Sequence, residues 1–315
     1  MGNPFAVQRF ALVMGDLVQL QAMELSRRSV LLSAWFFRDE QNSTFSSEVK
    51  VVTLFATVRN SDGRIISNLS KEDFSLEEEG RPQTIRYFAR ESDLPLTIGL
   101  LVDTSRSQLR VLETERQASY KFLDKVLRPD RDQAFIAHFD VGFGVLQGLT
   151  SSRQELASAL GRLRIPTFSG TLLYTGLKRS SADIMQGQGG RKAFILLSDG
   201  FDYRGRTSIG TAIEYTQRAD TIIFSILFAD PRTRNRLGSE VMQRLARETG
   251  GRYFEISGGD PIDGIFSQID DELRHQYSLG YTPDRADSSG TFRKIRLLTK
   301  DRGLLVQARA GYYAN

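Results

Sequence analysis

Leu96-Thr97-Ile98-Gly99-Leu100-Leu101-Val102 is an unbroken apolar run of strand length, and an aspartate, Asp103, follows it directly. A strand with one wet face alternates apolar with polar residues. A run without alternation fits a strand covered on both faces, as in the parallel sheets of α/β proteins. Ala193 to Leu197 is a second buried run, followed by Ser198-Asp199-Gly200. Further strands read at Ala134–Phe139, Gly142–Leu149, Thr221–Phe228 and Tyr253–Ile256. Helices read at Gln108–Leu127, Ser152–Leu163, Leu172–Met185, Ile209–Arg218, Ser239–Glu248 and Ile262–His275. Ser151 or Ser152 caps one of them, and Gly250-Gly251 ends another. This alternation over Leu96 to His275 predicts a doubly wound, mostly parallel α/β sheet with helices on both faces.

The flanks carry a different pattern. Val49 to Val58 is rich in β-branched residues and reads as a strand, followed by the turn Asn60-Ser61-Asp62-Gly63. Thr84 to Ala89 is another strand, and Leu94-Pro95 marks a boundary. After the α/β stretch, Tyr277–Tyr281, Phe292–Thr299 and Leu304–Tyr313 return to strand character. Neither flank can complete a core alone, so the two are expected to pair into one small β domain that the α/β segment interrupts. Phe88, Tyr312 and Tyr313 are expected in its core. The boundaries fall at 1–46 for an N-terminal targeting and linker segment, 47–93 and 277–315 for the two halves of the β domain, and 94–276 for the α/β domain.

Composition narrows the chemistry. The 315 residues include no cysteine and two histidines, so thiolate nucleophiles, disulfides and His-rich metal sites are out. With 42 Lys+Arg against 38 Asp+Glu the net charge is +4, a thin excess without blocks of like charge, and no nucleic-acid partner is indicated. The apolar runs Phe10–Leu20 and Val30–Phe37 are each shorter than the ~20 residues of a spanning helix. Between them, Ser26-Arg27-Arg28-Ser29-Val30-Leu31-Leu32 resembles a twin-arginine export signal, and Met23 would supply a basic n-region if translation began there. The alternative reading is an amphipathic helix with two surface arginines. The expectation is export to the periplasm or beyond, with a cytoplasmic location as the alternative.

In open α/β sheets, ligands bind beyond the carboxyl ends of the strands, at the switch point. Three segments can meet there: Asp103-Thr104-Ser105-Arg106-Ser107, Ser169-Gly170-Thr171 and Ser198-Asp199-Gly200. Together they offer carboxylates and hydroxyls, with no imidazole or thiol. Such an all-oxygen set suits a hard divalent cation such as Mg²⁺, with waters completing roughly six-fold coordination.

Asp103-x-Ser105-x-Ser107, Thr171 and Asp199 resemble the metal-ion-dependent adhesion site (MIDAS) of von Willebrand factor A (VWA) domains. The surrounding LTIGLLVDTSRS, SGTLLYTGL and FILLSDGFD are similar to that family too. The β segments GRIISNLSKEDFSLEEEGRPQTIRYF, QYSLGYTP and FRKIRLLTKDRGLLVQARAGYY resemble those of a bacterial class of VWA-related proteins, in which a β-sandwich-like unit flanks the VWA domain and members are usually exported. The resemblance implies Mg²⁺ as the ion, with Mn²⁺ or Ca²⁺ as alternatives. It implies direct ligation by Ser105, Ser107 and Thr171, and direct or water-mediated ligation by Asp103 and Asp199. One position would be left for an Asp or Glu carboxylate of a partner protein. Arg106 stands where the family often has glycine and puts a cation at the rim.

Rival readings are a metal-dependent enzyme of phosphotransfer or hydrolase type, a VWA module without an ion, and a subunit partnering a cytoplasmic ATPase. A haloacid-dehalogenase-type phosphotransferase would want an acid where Ser105 stands. The chain has no phosphate loop of the Gly-x-x-x-x-Gly-Lys-[Ser/Thr] type and no Gly-x-Ser-x-Gly elbow. His138 reads as a core histidine, His275 as surface or interdomain, and Asp202 as a solvated loop acid.

Overall fold

The computed structural model describes residues 51–90, 94–228, 236–256, 262–285 and 290–314. The twin-arginine segment, with the rest of 1–50, lies outside them. At the centre is a six-stranded sheet, built from β5 (Leu96–Asp103), β6 (Gln133–Phe139), β7 (Phe143–Thr150), β8 (Arg191–Ser198), β9 (Ile222–Leu227) and β10 (Tyr253–Glu255). Its order is β10-β9-β8-β5-β6-β7, all parallel except β7, which runs antiparallel at one edge. The chain leaves β5 for β6 on one side and later returns to β8 on the other. The switch point therefore lies between the carboxyl ends of β5 and β8, where Asp103 and Asp199 sit.

Every residue of β5 and β8 is buried, as unbroken apolar runs require. Leu96, Ile98, Leu100 and Val102 face one core with α1 (Leu112–Val126), α2 (Arg153–Gly161) and α6 (Ile262–Arg274). Leu101 faces the other, with α3 (Leu173–Arg179), α4 (Ile209–Arg218) and α5 (Arg236–Thr249). Gly99 is the one β5 position where a side chain cannot fit, because a Cβ there would lie 2.5 Å from the Phe135 ring. No helix among the described residues is long and apolar enough to cross a membrane.

The flanking segments form two four-stranded sheets. One has the order β13-β1-β11-β4 and the other β14-β12-β2-β3. Here β1 is Val52–Arg59, β2 Phe74–Glu78, β3 Arg81–Gln83, β4 Tyr87–Ala89, β11 Tyr277–Tyr281, β12 Phe292–Thr299, β13 Leu305–Gln307 and β14 Gly311–Tyr313. Thus β1 pairs with β11 and β2 with β12, joining strands more than 200 residues apart. Their inner faces share a core of Leu54, Val58, Leu76, Tyr277, Tyr281, Ile295 and Leu297. Phe88 packs against Phe74 and Tyr277, and Tyr312 is buried, but Tyr313 turns outward under the Arg218 guanidinium.

Several expected elements change form for local reasons. The expected helix from Gln108 begins only at Leu112, because Asp103 to Gln108 bends around the site and closes a single 3₁₀ turn. The expected helix Leu172–Met185 is α-helical to Arg179 and continues as a π-helical turn over Ser180–Met185. There Ser181 Oγ donates to the Leu177 carbonyl at 2.8 Å, and such back-bonding competes with the regular ladder. Leu304–Tyr313 is two strands, not one: β13 joins β1 and β14 joins β12, so the chain changes sheet between them. Ser152 caps α2, accepting from Glu155 N, and Gly250 ends α5 in the left-handed region at φ +87°.

Candidate functional site

Asp103 ends β5 and is fully buried. One carboxylate oxygen accepts from Ser105 N at 2.8 Å, which bends the chain back at once. The other accepts from Ser198 Oγ at 2.7 Å. Ser198 Oγ also accepts from Gly200 N at 3.0 Å, so one hydroxyl ties the end of β8 to Asp103. The Ser105 and Ser107 hydroxyls are 2.9 Å apart, and the Ser107 hydroxyl lies against Asp199. Asp199 accepts from Phe201 N at 3.2 Å. The structure therefore brings Asp103, Ser105, Ser107 and Asp199 together. Thr171 is buried and bridged to Tyr203, four residues past Asp199, through backbone hydrogen bonds of 3.0 and 2.8 Å. No hydrogen bond joins its hydroxyl to the other four side chains.

The electrostatics of this cluster are unbalanced. Burial, and then the nearby charge of Asp199, push the Asp103 carboxyl up to about 7. Burial likewise raises Asp199. Beneath them Glu115 of α1 is fully buried and raised well above the usual range, by burial first and then by the Asp103 and Asp199 charges. Neither Glu115 oxygen has a hydrogen-bond partner, nor does either polar atom of the Gln108 side chain. Among the described residues no lysine or arginine pairs with Asp103 or Asp199, and Arg106 donates instead to the Thr167 carbonyl at 3.1 Å. Two buried carboxylates without a counter-charge, faced by hydroxyl oxygens, fit a hard divalent ion. Among the described residues no group of three or more carboxylate or imidazole side chains is placed to hold a metal, so an ion at this site would need the hydroxyls as neutral ligands.

The site's backbone is packed without slack. Gly200 has φ +84°, and a Cβ there would meet the Gly238 carbonyl at 2.2 Å. A Cβ on Gly238 would lie 2.0 Å from the Asp199 carbonyl. Asp202 is not the solvated loop acid its position suggested. It is half-buried and caps the start of α3, accepting from Tyr174 N at 2.9 Å, because the loop folds over that helix terminus. His138 is half-buried, with Nδ1 3.2 Å from Thr104 Oγ1 and 3.3 Å from Asp140.

Sequence reasoning missed the rim. Phe168 is 76% exposed and Leu109 67%, the two most exposed large apolar side chains among the described residues. Tyr203 and Val141 are exposed as well. All four flank site segments: Leu109 follows Ser107, Phe168 precedes Ser169-Gly170-Thr171, and Tyr203 bridges Thr171. Val141 packs on Gly170, where a Cβ would meet its Cγ1 at 2.9 Å. Arg106, Arg110, Arg204 and Arg206 are exposed on the same loops, while their carboxylates are buried or half-buried. A phenylalanine in the otherwise polar Thr167-Phe168-Ser169-Gly170 loop was the available signal.

No family model and no curated protein matches the chain. Solved structures do. Proximal thread matrix protein 1 of the mussel byssus, with a zinc-occupied MIDAS motif, is 15% identical with a TM-score of 0.50, over 64% of this chain and 50% of its own. The VWF domain of the type V pilus tip protein Mfa5 from Porphyromonas gingivalis is 14% identical over 57% of this chain and 95% of its own, with a TM-score of 0.47. An aerotolerance-related membrane protein of Bacteroides fragilis, carrying multiple mutations to serine, is 18% identical over 57% and 98%, with a TM-score of 0.46. The fold is of the von Willebrand factor A type, a doubly wound α/β sheet, with additional antiparallel sheets.

Proposed function

We propose that this chain is a divalent-metal-dependent protein-binding module of the adhesion type, without catalytic activity. The observation that carries the reading is the uncompensated pair of buried carboxylates, Asp103 and Asp199, with the Ser105 and Ser107 hydroxyls beside them at the switch point. Mg²⁺ is the expected ion, with Mn²⁺ and Ca²⁺ as alternatives, held by Asp103, Ser105, Ser107, Thr171 and Asp199. When bound, the ion supplies a positive centre that accepts a carboxylate from a partner. The chain's own residues do the rest. Asp103 and Asp199 neutralise the ion, Ser198 orients Asp103, and the arginine rim draws an acidic partner. Phe168, Leu109, Tyr203 and Val141 offer apolar contact around an Asp or Glu side chain. The zinc in the mussel protein's MIDAS motif supports a divalent ion, and the pilus tip protein is in keeping with an adhesive role outside the cell. Export through the twin-arginine-like segment is part of this reading.

Calorimetric titration of Mg²⁺ or Mn²⁺ into the wild type and Asp103→Ala tests it. Heat of binding in the wild type, lost in the variant, is expected; equal heats in both sink the reading.

A further inference from the structure

A second constellation lies at the opposite end of the central sheet. A cavity of about 210 Å³ opens between the start of β8, the start of β9, β1 and the segment joining β13 to β14. Gly189, Gly190, Lys192, Asp220, Thr53 and Arg309 are among its lining residues. Lys192 and Asp199 are separated by the length of β8, roughly 23 Å at about 3.3 Å per residue, so this is not part of the MIDAS-like site.

The charges in this cavity do not balance. Lys192 is only 8% exposed, and its ammonium donates one hydrogen bond, to the Gln188 carbonyl at 2.9 Å. No carboxylate lies within ion-pair distance of it among the described residues. Asp220, the acid on the cavity wall, is paired with Arg309 at 2.5 Å, and Arg309 also donates to the Thr53 carbonyl at 2.8 Å. One positive charge, on a buried side chain, is therefore left at this half-open cavity, an arrangement that burial disfavours unless an anion compensates it. Burial indeed pulls the Lys192 ammonium below its ordinary range, with the Asp220 charge opposing. Among the described residues no acceptor is bonded to the Gly189 and Gly190 amide N–H groups, beside Lys192 in the chain. Gly190 is irreplaceable in this turn: φ is +76°, and a Cβ would meet the Pro95 carbonyl at 2.4 Å. Spare ammonium hydrogens and two backbone amides in one short segment lining the cavity are donors of the kind an oxyanion takes.

We propose that this cavity is a second ligand site, taking a phosphate-type oxyanion, free or as the terminal group of a small phosphoester. A lysine acting as a point charge and backbone amides beside a left-handed glycine are donor types that suit phosphate oxygens. Strands from the N- and C-terminal flanks and from the central sheet share the cavity wall, so an anion held at the start of β8 would lie against all three.

Inorganic phosphate titrated calorimetrically into the full chain, in a buffer free of other oxyanions, tests this, with acetate as the second arm. A saturable one-to-one heat with phosphate is expected, at least ten-fold weaker in Lys192→Met and restored in Lys192→Arg. No heat in the wild type, equal affinity in Lys192→Met, or acetate binding as tightly as phosphate would each overturn the proposal. Should Lys192→Met fail to fold, the amide resonances of Gly189 and Gly190 in the wild type decide it. Movement on adding phosphate supports the site, and unchanged resonances reject it.

Discussion

Ser198 works in two directions: its hydroxyl donates to Asp103 and accepts from Gly200 N. Ser198→Ala leaves a buried amide and a buried carboxylate oxygen without that partner. It is expected to cost about 1–2 kcal/mol of stability, read as a lower denaturant midpoint, and to weaken Mg²⁺ binding. A midpoint unchanged from wild type would show that water replaces the hydroxyl at no cost. Glu115 is the other residue whose setting matters. Its type and its place in α1 suggest a solvated acid, but it is buried under the two aspartates. No spacing rule reveals that, since burial of one helix face depends on what packs there.

At the scale of elements, the loop after β8 and the start of α5 interlock through two glycines. Gly238→Ala would push its new methyl into the Asp199 carbonyl. The expected result is loss of divalent binding at a stability cost smaller than that of a core truncation, measured by paired calorimetry and thermal unfolding; intact binding would show that α5 shifts freely. Asp132 clamps the start of the sheet on the far side. It accepts from Leu96 N at 2.9 Å, Arg128 N at 3.0 Å and the Arg128 guanidinium at 2.8 and 2.9 Å. Burial alone would raise its carboxyl, but the Arg128 and Leu96 hydrogen bonds and the Arg128 charge outweigh it and hold the group low. A carboxyl lowered on folding contributes stability above its unfolded value, about 3.9, and loses it as pH falls through the folded value. Asp132→Ala should therefore cost about 3 kcal/mol at pH 6 and distinctly less at pH 3, by urea unfolding. A pH-independent difference would assign the effect to packing.

Across the whole molecule, one buried carboxylate links the flanking sheets to the α/β layers. Glu272 of α6 takes Arg59 of β1, and Arg252 before β10 at 2.8 Å, on the same oxygen. Glu272→Ala would take the carboxylate from two arginines, one of them buried and left with only its bond to Gln307, at a cost of about 3–5 kcal/mol. Residues 49–315 form one compact unit. We nonetheless read 47–93 with 277–315, and 94–276, as two domains, and the variant probes that division. Calorimetry should show the single unfolding transition splitting, with the β part melting first. A single transition shifted as a whole would mean one cooperative unit.

The order of elements, the parallel sheet and the candidate ligand segments were legible in residues 94–276, because unbroken apolar strands and short-range motifs are local in the chain. Asp103, Ser105 and Ser107 lie within five residues, and Asp199 marks the end of the neighbouring strand. Other features depended on distant chain segments. Only tertiary structure decided that β13 and β14 part into different sheets, that Asp202 caps α3, and that Phe168 and Leu109 stand exposed beside one another's loops. The Lys192 ammonium, which among the described residues has no carboxylate within ion-pair distance, belongs to the same group, because its environment is made by Asp220, Arg309 and β1, brought in from far along the chain. Periodicity records which face of an element is apolar; the charge balance and exposure of a side chain depend on which other segments arrive to cover it.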